Sequence, residues 1–546
     1  MKTAPILLLA GLSLLFPHPA IGASPKAPKP GSLSPKVHKA IDLGPAPLDE
    51  SHRVVLGLRL RNREALEAFL TDVQDPASPN YRRFITQDEF NRLYAPTQEE
   101  EQAVVDHLAA SGFAVTERTS NRLTIGAVGN GRAIRRAFGV RLHAVRYKNA
   151  PHFAALAEPV LPASLARHVT GILGLDDLEA MRPHVRALRP VAAPKASVGS
   201  NCCHLGPNDL RSFYGNSTGF NGAGQIVVIA GAFAWSDGDN AIFSAQWGLP
   251  PFPPGSGQVC TGLTPKAKGC RFKSKDSIEI ALDAEYVHAT APAAIIVNYM
   301  AASTSVPDFA TMYNRIVTDN PGHVVTTSWG ICENDLPLSA QQTEDNIFAN
   351  ANAIGQSWFA ASGDNGSDDC DDGTTSVDTP ANSPHVTAVG GTTPTCSAGM
   401  SLFDPACAGY GSESAWDGSG GGVSVHFGRP SYQKNCGVPP GTQRLVPDVA
   451  LEANPSPGKY VVVKGRWYAI GGTSGAAPQW AGYLAQLNQK KGGPGLGNPG
   501  AALYALCGTA AFHDITTGSN GAFSASAGYD LVTGLGTIDA PNFMAQ

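Results

Sequence analysis

From Gly224 onward the chain alternates short, almost wholly apolar runs with longer amphipathic stretches. The apolar runs are Gln225–Ala230, Ala294–Met300, His323–Ser328, Ser357–Ala361 and His385–Val389. Continuous apolar runs of this length predict strands buried on both faces. Between them, Ser277–Thr290, Asp308–Thr318 and Ser339–Ile354 carry helical spacing. The alternation predicts an α/β domain with a central parallel sheet and helices on both faces. In such folds the catalytic loops gather at the C-terminal ends of the strands.

The first part of the chain has a different pattern. Arg53–Leu60 alternates as a strand does. Asn62 stands where it would cap a helix running through Glu64, Ala65, Ala68 and Phe69. Thr97-Gln98-Glu99-Glu100 opens another helix through Val104, Val105, Leu108 and Ala109, and Arg122–Gly126 reads as a further strand. Residues 38–180 are therefore expected to form one smaller α+β domain. Residues 24–37, rich in Pro, Lys and Ser, predict a flexible linker. Residues 181–203 hold Arg182-Pro183, Arg189-Pro190 and Ala193-Pro194-Lys195 without any apolar period, and mark the main boundary before a domain over 204–546.

The start of the chain reads as a secretory signal over residues 1–23: Lys2, the apolar stretch Ile6–Phe16, then small residues at Ala20-Ile21-Gly22. No later run is apolar enough to cross a membrane, so a secreted protein is expected. The ten cysteines agree with an oxidising compartment. All lie between Cys202 and Cys507, and close pairs such as Cys260/Cys270 and Cys396/Cys407 suit small loops, with the pairing left open. None of the spacings resembles a zinc site.

Charge separates the two parts. Of 40 Lys+Arg and 45 Asp+Glu, residues 201–546 carry 15 and 27, a net of −12, leaving 25 and 18, a net of +7, for residues 1–200. The basic first part and the acidic second part should attract each other. Nucleic acid is not an expected partner, because the arginines of the first part are scattered through helical patterns and the chain is exported.

Four places offer chemistry. Ser474 lies in Gly471-Gly472-Thr473-Ser474-Gly475-Ala476-Ala477-Pro478, ahead of a helical run through Trp480, Leu484 and Leu487. Pro478 is tolerated only in a first helical turn, which puts Ser474 at a helix N-terminus, where the dipole favours developing negative charge. A serine nucleophile needs a base, yet none of the six histidines after residue 203 (His204, His288, His323, His385, His426, His513) sits in a Gly-rich active-site context. Glu279 and Asp283 stand at i and i+4 on one helix face. In a cleft they would share protons and titrate as a pair; on an ordinary helix they are a solvated acidic face. Asp364 follows the apolar run Trp358-Phe359-Ala360 within Ala361-Ser362-Gly363-Asp364-Asn365-Gly366, and Ser328-Trp329-Gly330 also ends a strand.

Taken together, these motifs resemble the sedolisin family of serine-carboxyl peptidases, kumamolisin-like members in particular. The resemblance rests on Glu279 and Asp283, Ser328-Trp329-Gly330, Gly363–Gly366 and Gly472-Thr473-Ser474, in that order. Asp75–Phe84, Glu89-Phe90 and Tyr94–Thr97 are similar to the signature of that family's propeptide. The resemblance implies a subtilisin-like α/β catalytic domain behind an α+β prodomain. Because residues 181–203 are pattern-free and an extended chain can enter a cleft, they are expected to be a processing linker. The resemblance assigns Glu279 as general base, Asp283 as its partner, Ser474 as nucleophile and Asp364 as oxyanion donor, with Ser328, Trp329 and Gly330 along the substrate cleft. A Ca²⁺ site is implied at Asp514, Ile515, Ser526, Gly528 and Asp530, through two carboxylates and three carbonyl oxygens. The implied partners are protein or peptide substrates and the chain's own prodomain as an intramolecular inhibitor, in a monomer. The acidic run after Gly366 and the large cysteine set depart from the family pattern.

Overall fold

The computed structural model describes residues 26–28, 31–194, 204–264, 267–273, 275–397, 407 and 409–546. The expected signal over 1–23, the Cys202-Cys203 pair and residues 195–203 lie outside them. The main sheet has eight strands. Gly257–Cys260, Ile295–Met300, Ile226–Gly231, Val324–Thr327, Ser357–Ala361 and Thr387–Cys396 run parallel across it in that order. Val449–Glu452 joins Thr387–Cys396 in parallel, and Tyr410–Ala415 joins it antiparallel.

Helices cover both faces, for a reason visible in single strands. Ile229 enters one core with the helices Ile278–Thr290 and Ala477–Lys491, while its neighbours Val228 and Ala230 enter another with Val306–Asp319 and Leu338–Ala353. Successive strand residues point to opposite faces, and both faces are buried, so the runs read as continuously apolar. Observed strand and helix ends fall within a residue or two of the expected ones, save that the strand of the last run, starting at Thr387, continues past Val389 to Cys396. His385 instead turns its ring to Asp345, Nδ1 lying 2.8 Å from Oδ1.

The N-terminal part centres on an antiparallel sheet ordered Ala114–Arg118, Thr124–Asn130, Ser51–Leu58, Val169–Leu173. Val54, Leu56 and Leu58 point into its own core with Leu108, Ile134 and Phe138, whereas Val55 points into the core shared with Phe309 and Tyr313. The strand is thus buried on both sides, because its second face docks on two helices of the C-terminal part. Gly57 and Gly171 permit that approach: a Cβ at Gly57 would collide with the Thr343 side chain, and one at Gly171 would lie 2.7 Å from the Ser339 carbonyl oxygen.

Local expectations held with adjustments. Thr97 and Glu100 form a reciprocal capping box. Asn62 precedes the helix Arg63–Gln74 but does not cap it; at φ 51° its side chain donates to the Leu93 carbonyl at 3.0 Å. Arg122 takes φ 56°, a turn, so that strand begins at Thr124. Residues 31–37, expected to be flexible, are tied down: Ser32, Ser34 and Lys36 are buried, and Lys36 pairs with Asp335. A low-complexity stretch gives no local sign of such a long-range ion pair.

The expected boundary is an extended segment laid along the C-terminal part. Arg182–Pro183 pairs antiparallel with Trp329–Cys332, and Arg186–Pro190 pairs antiparallel with Arg466–Gly471. Among the described residues, disulfides join Cys260–Cys270, Cys332–Cys370, Cys396–Cys407 and Cys436–Cys507.

Candidate active site

The strand Arg466–Gly471 runs into Gly472, then into the 3₁₀ turn Thr473–Gly475, then into the helix Ala477–Lys491 with Pro478 in its first turn. Ser474 therefore sits where expected, just ahead of a helix N-terminus. Gly472 has φ +120°, and a Cβ there would collide with the His184 carbonyl oxygen and lie 2.6 Å from Asp364 Oδ2. Only glycine fits both the backbone and the space.

The helix Ile278–Thr290 is buried along its whole length. Glu279 and Asp283 are fully buried, which removes the reading of a solvated acidic face. Burial and the neighbouring Asp283 push the Glu279 pKa well above the usual carboxylate range, while the nearby Ser474 hydroxyl pulls it back part of the way. Burial likewise raises Asp283, against the hydrogen bond it accepts from Ser328 Oγ at 2.7 Å. Among the described residues, neither Glu279 carboxyl oxygen has an aligned hydrogen-bond partner. The pair is thus a proton store beside an alcohol, with one member open to react.

Asp364 enters from the loop after Ser357–Ala361. Its Oδ1 accepts from the Thr473 N–H at 2.8 Å and from Thr473 Oγ1 at 2.9 Å. Its Oδ2 is buried without an aligned hydrogen-bond partner among the described residues, and Arg186 Nε lies 4.0 Å from it. Burial raises its pKa, against the lowering effect of His184 and the Thr473 N–H. A protonated Oδ2 would be a donor aimed at whatever oxygen lies beside Gly472.

That oxygen is the His184 carbonyl. It accepts from the Ser474 N–H at 3.3 Å, and the His184 N–H donates to the Ser328 carbonyl at 3.0 Å. The extended segment thus passes through the site with one carbonyl at the nucleophile. Ser328 contributes its carbonyl and its hydroxyl. Trp329 lines the cleft only with backbone; its side chain is buried against Phe233 and Phe309, the ordinary core reading for an aromatic. Gly330 flanks the His184 imidazole, and a Cβ there would lie 2.6 Å from Nε2.

Sequence reasoning missed two residues here: His184 and Asp378. His184 Nε2 lies 3.2 Å from Asp378 Oδ2, an electrostatic contact rather than an aligned hydrogen bond. A histidine inside a pattern-free stretch and an aspartate within Val377-Asp378-Thr379 carry no local signal. His288 belongs elsewhere: Nε2 lies 2.7 Å from the Pro250 carbonyl, the ring packs on Phe252, and burial pushes its pKa down to about 4.

Of the residues singled out for Ca²⁺, Asp514 is tied to Gly528 and Asp530 to Ser526. The Gly528 N–H donates to Asp514 Oδ2 at 3.0 Å, and the Ser526 N–H to Asp530 Oδ2 at 3.2 Å. Both contacts place main-chain N–H groups against the carboxylates, and the carboxylates of Asp514 and Asp530 are hard-oxygen donors of the kind calcium takes. Asp530 also accepts from the Val532 and Thr533 N–H groups, each at 2.8 Å, so its loop is already folded around the carboxylate. Cys332, Asp335 and Cys370 also converge, but the two cysteines are disulfide-bonded and ligate nothing.

Residues 38–178 match the family described as "Pro-kumamolisin, activation domain", and residues 276–529 match "Subtilase family". The chain is 30% identical to sedolisin of Pseudomonas sp. (strain 101), over 91% of this chain and 87% of that one. It is 32% identical to kumamolisin of Bacillus sp. (strain MN-32), over 91% and 92%. In three dimensions it is similar to Pseudomonas sedolisin solved with two molecules of pseudo-iodotyrostatin, with a TM-score of 0.57 and 29% identity, covering 64% of this chain and 98% of that one.

Proposed function

As the chain belongs to the sedolisin family of serine-carboxyl peptidases and carries an activation domain, we propose that it is a secreted, acid-acting endopeptidase that cuts away its own N-terminal part. Glu279 takes the proton of Ser474 Oγ as the oxygen attacks a peptide carbonyl carbon. Asp283, hydrogen-bonded to Ser328, sets the proton affinity of Glu279. Protonated Asp364 and the Ser474 N–H stabilise the oxyanion. Glu279 returns its proton to the leaving amine as the acyl-enzyme forms, and water repeats the sequence to release the acid. A carboxylic acid donates this way only while its pKa exceeds the working pH. The raised pKa of Asp364 therefore favours acid operation.

The observation that carries the reading is the His184 carbonyl on the Ser474 N–H, beside the open Oδ2 of Asp364. Backbone pairing continues on both sides of that carbonyl, which suits a cleft open at both ends and hence endopeptidase action. The bond presented is His184–Val185, inside the linker expected at 181–203. Among the described residues no helix is long and apolar enough to cross a membrane. The C-terminal site would hold one Ca²⁺ on the carboxylates of Asp514 and Asp530 and the carbonyls of Ile515, Ser526 and Gly528. Calcium there would tie the loops together, apart from the chemistry.

The test is acid conversion of the purified precursor. The first product of the wild type should begin at Val185, and the Ser474→Ala precursor should stay at full length. Conversion of that mutant without added protease would refute self-processing.

A further inference from the structure

Beneath the nucleophile turn lies a buried ion pair that none of the reaction steps above uses. Glu452 closes the strand Val449–Glu452, and Lys459 opens the strand Lys459–Val463. Both side chains are fully buried. Lys459 Nζ donates to the Glu452 carbonyl and pairs with Glu452 Oε2. Burial works against both charges, and each partner opposes that effect on the other.

The pair meets the turn at both ends. Ala453, the residue after Glu452, accepts from the Gly472 N–H at 2.6 Å. At the other end, a Cβ on Gly475 would lie 2.8 Å from Lys459 Nζ and 3.1 Å from its Cδ and Cε. Gly475 lies outside the left-handed region, so its backbone does not require glycine. The lysine is what leaves no room for a side chain there. Between these two contacts stand Thr473, whose N–H meets Asp364, and Ser474, whose N–H meets the His184 carbonyl. Resting on the peptidase reading above, we infer that Lys459 and Glu452 are positioning residues for the reaction: together they clamp the turn Gly472–Gly475 from beneath and fix the Ser474 N–H and Oγ relative to Asp364 and Glu279. An apolar pair of similar volume is often as stable as a buried ion pair, so stability alone gives no reason for these charges. Placement does, because a shift of about 1 Å in a reacting group lowers the rate by a large factor.

The experiment compares mature enzymes on one peptide in acid. Lys459→Leu with Glu452→Met makes the pair apolar and should leave the Tm close to that of the wild type. Its kcat should fall by about 10-fold or more, with KM within about 3-fold. Gly475→Ala presses on Lys459 and should lower the kcat of the otherwise wild-type enzyme by about 10-fold, again with KM held. In the apolar pair the same alanine should lower it by less than about 2-fold, since the ammonium it would displace is gone. Should the apolar pair fail to fold, Gly475→Ala alone decides, because the three atoms nearest its Cβ all belong to Lys459. An apolar pair with the wild-type kcat, whatever its Tm, overturns the clamp and leaves the peptidase reading standing. So does an alanine without effect beside Lys459, or with the same effect in both backgrounds. A wild-type enzyme that cuts no peptide or protein overturns the peptidase reading, and this inference with it.

Discussion

At the scale of the residue, the site is made by burial. Glu279 and Asp283 sit on a helix whose every residue is buried, so their proton affinities rise together, and a carboxylate can serve as base where a histidine usually does. The prediction separates two bases. Glu279→Gln keeps the shape and removes the base, and should lower kcat by about 10³-fold or more. His288→Ala should leave kcat within a few-fold, since its partners are Pro250 and Phe252. Steady-state kinetics on one peptide decides, and the opposite pattern would reassign the base. Much of this was legible in sequence. Ser474 was placed by Pro478, and Glu279 with Asp283 by their spacing. The contact of His184 with Asp378 was not, because it joins residues far apart in the chain and only tertiary structure brings them together. Trp329 shows the converse: a motif residue at the cleft whose side chain serves the core.

At the scale of the element, continuous apolar runs announced parallel strands, and the structure supplies the reason in Val228, Ile229 and Ala230 facing alternate cores. Element ends were less legible. Nothing local says that Arg122 will turn, or that Lys36 will reach Asp335. The loops around Asp514 and Asp530 are the element whose stability should depend on metal. Binding to the folded state alone adds stability that grows with free ligand. Removing calcium with a chelator should therefore lower the Tm of the mature enzyme by roughly 3–8 °C. Asp530→Ala should lower it similarly and abolish the chelator effect. An unchanged Tm in chelator, with no calcium by elemental analysis, would remove the site.

At the scale of the whole molecule, the charge asymmetry expected between the two parts resolves into specific pairs. Arg53 meets Asp308 at 3.0 Å, and Arg63 meets Asp345 at 2.8 Å. Acid loosens such contacts where it protonates the carboxylates. The cluster at Asp345 resists it. His385 and Arg63 outweigh burial and hold Asp345 well below the usual carboxylate range, and the same cluster raises His385 to about 9. A depressed carboxylate contributes stability above its unfolded pKa and loses it only as pH falls through the depressed value. This contact therefore stays charged through mild acid. Asp364 has the opposite sign: burial raises its pKa, so it keeps its proton to a higher pH than an ordinary aspartate and gives it up as pH rises further. The acid switch should then lie in the catalytic carboxyls rather than in the domain contact. Asparagine at position 364 is a donor at every pH, so Asp364→Asn should carry precursor conversion to higher pH, moving the midpoint up by about one unit or more. Asp345→Asn strips His385 and Arg63 of their shared partner and should destabilise the precursor while leaving the midpoint of its conversion in place. Conversion followed by gel across a pH series tests both. A midpoint that moves with Asp345 and ignores Asp364 would put the switch at the interface.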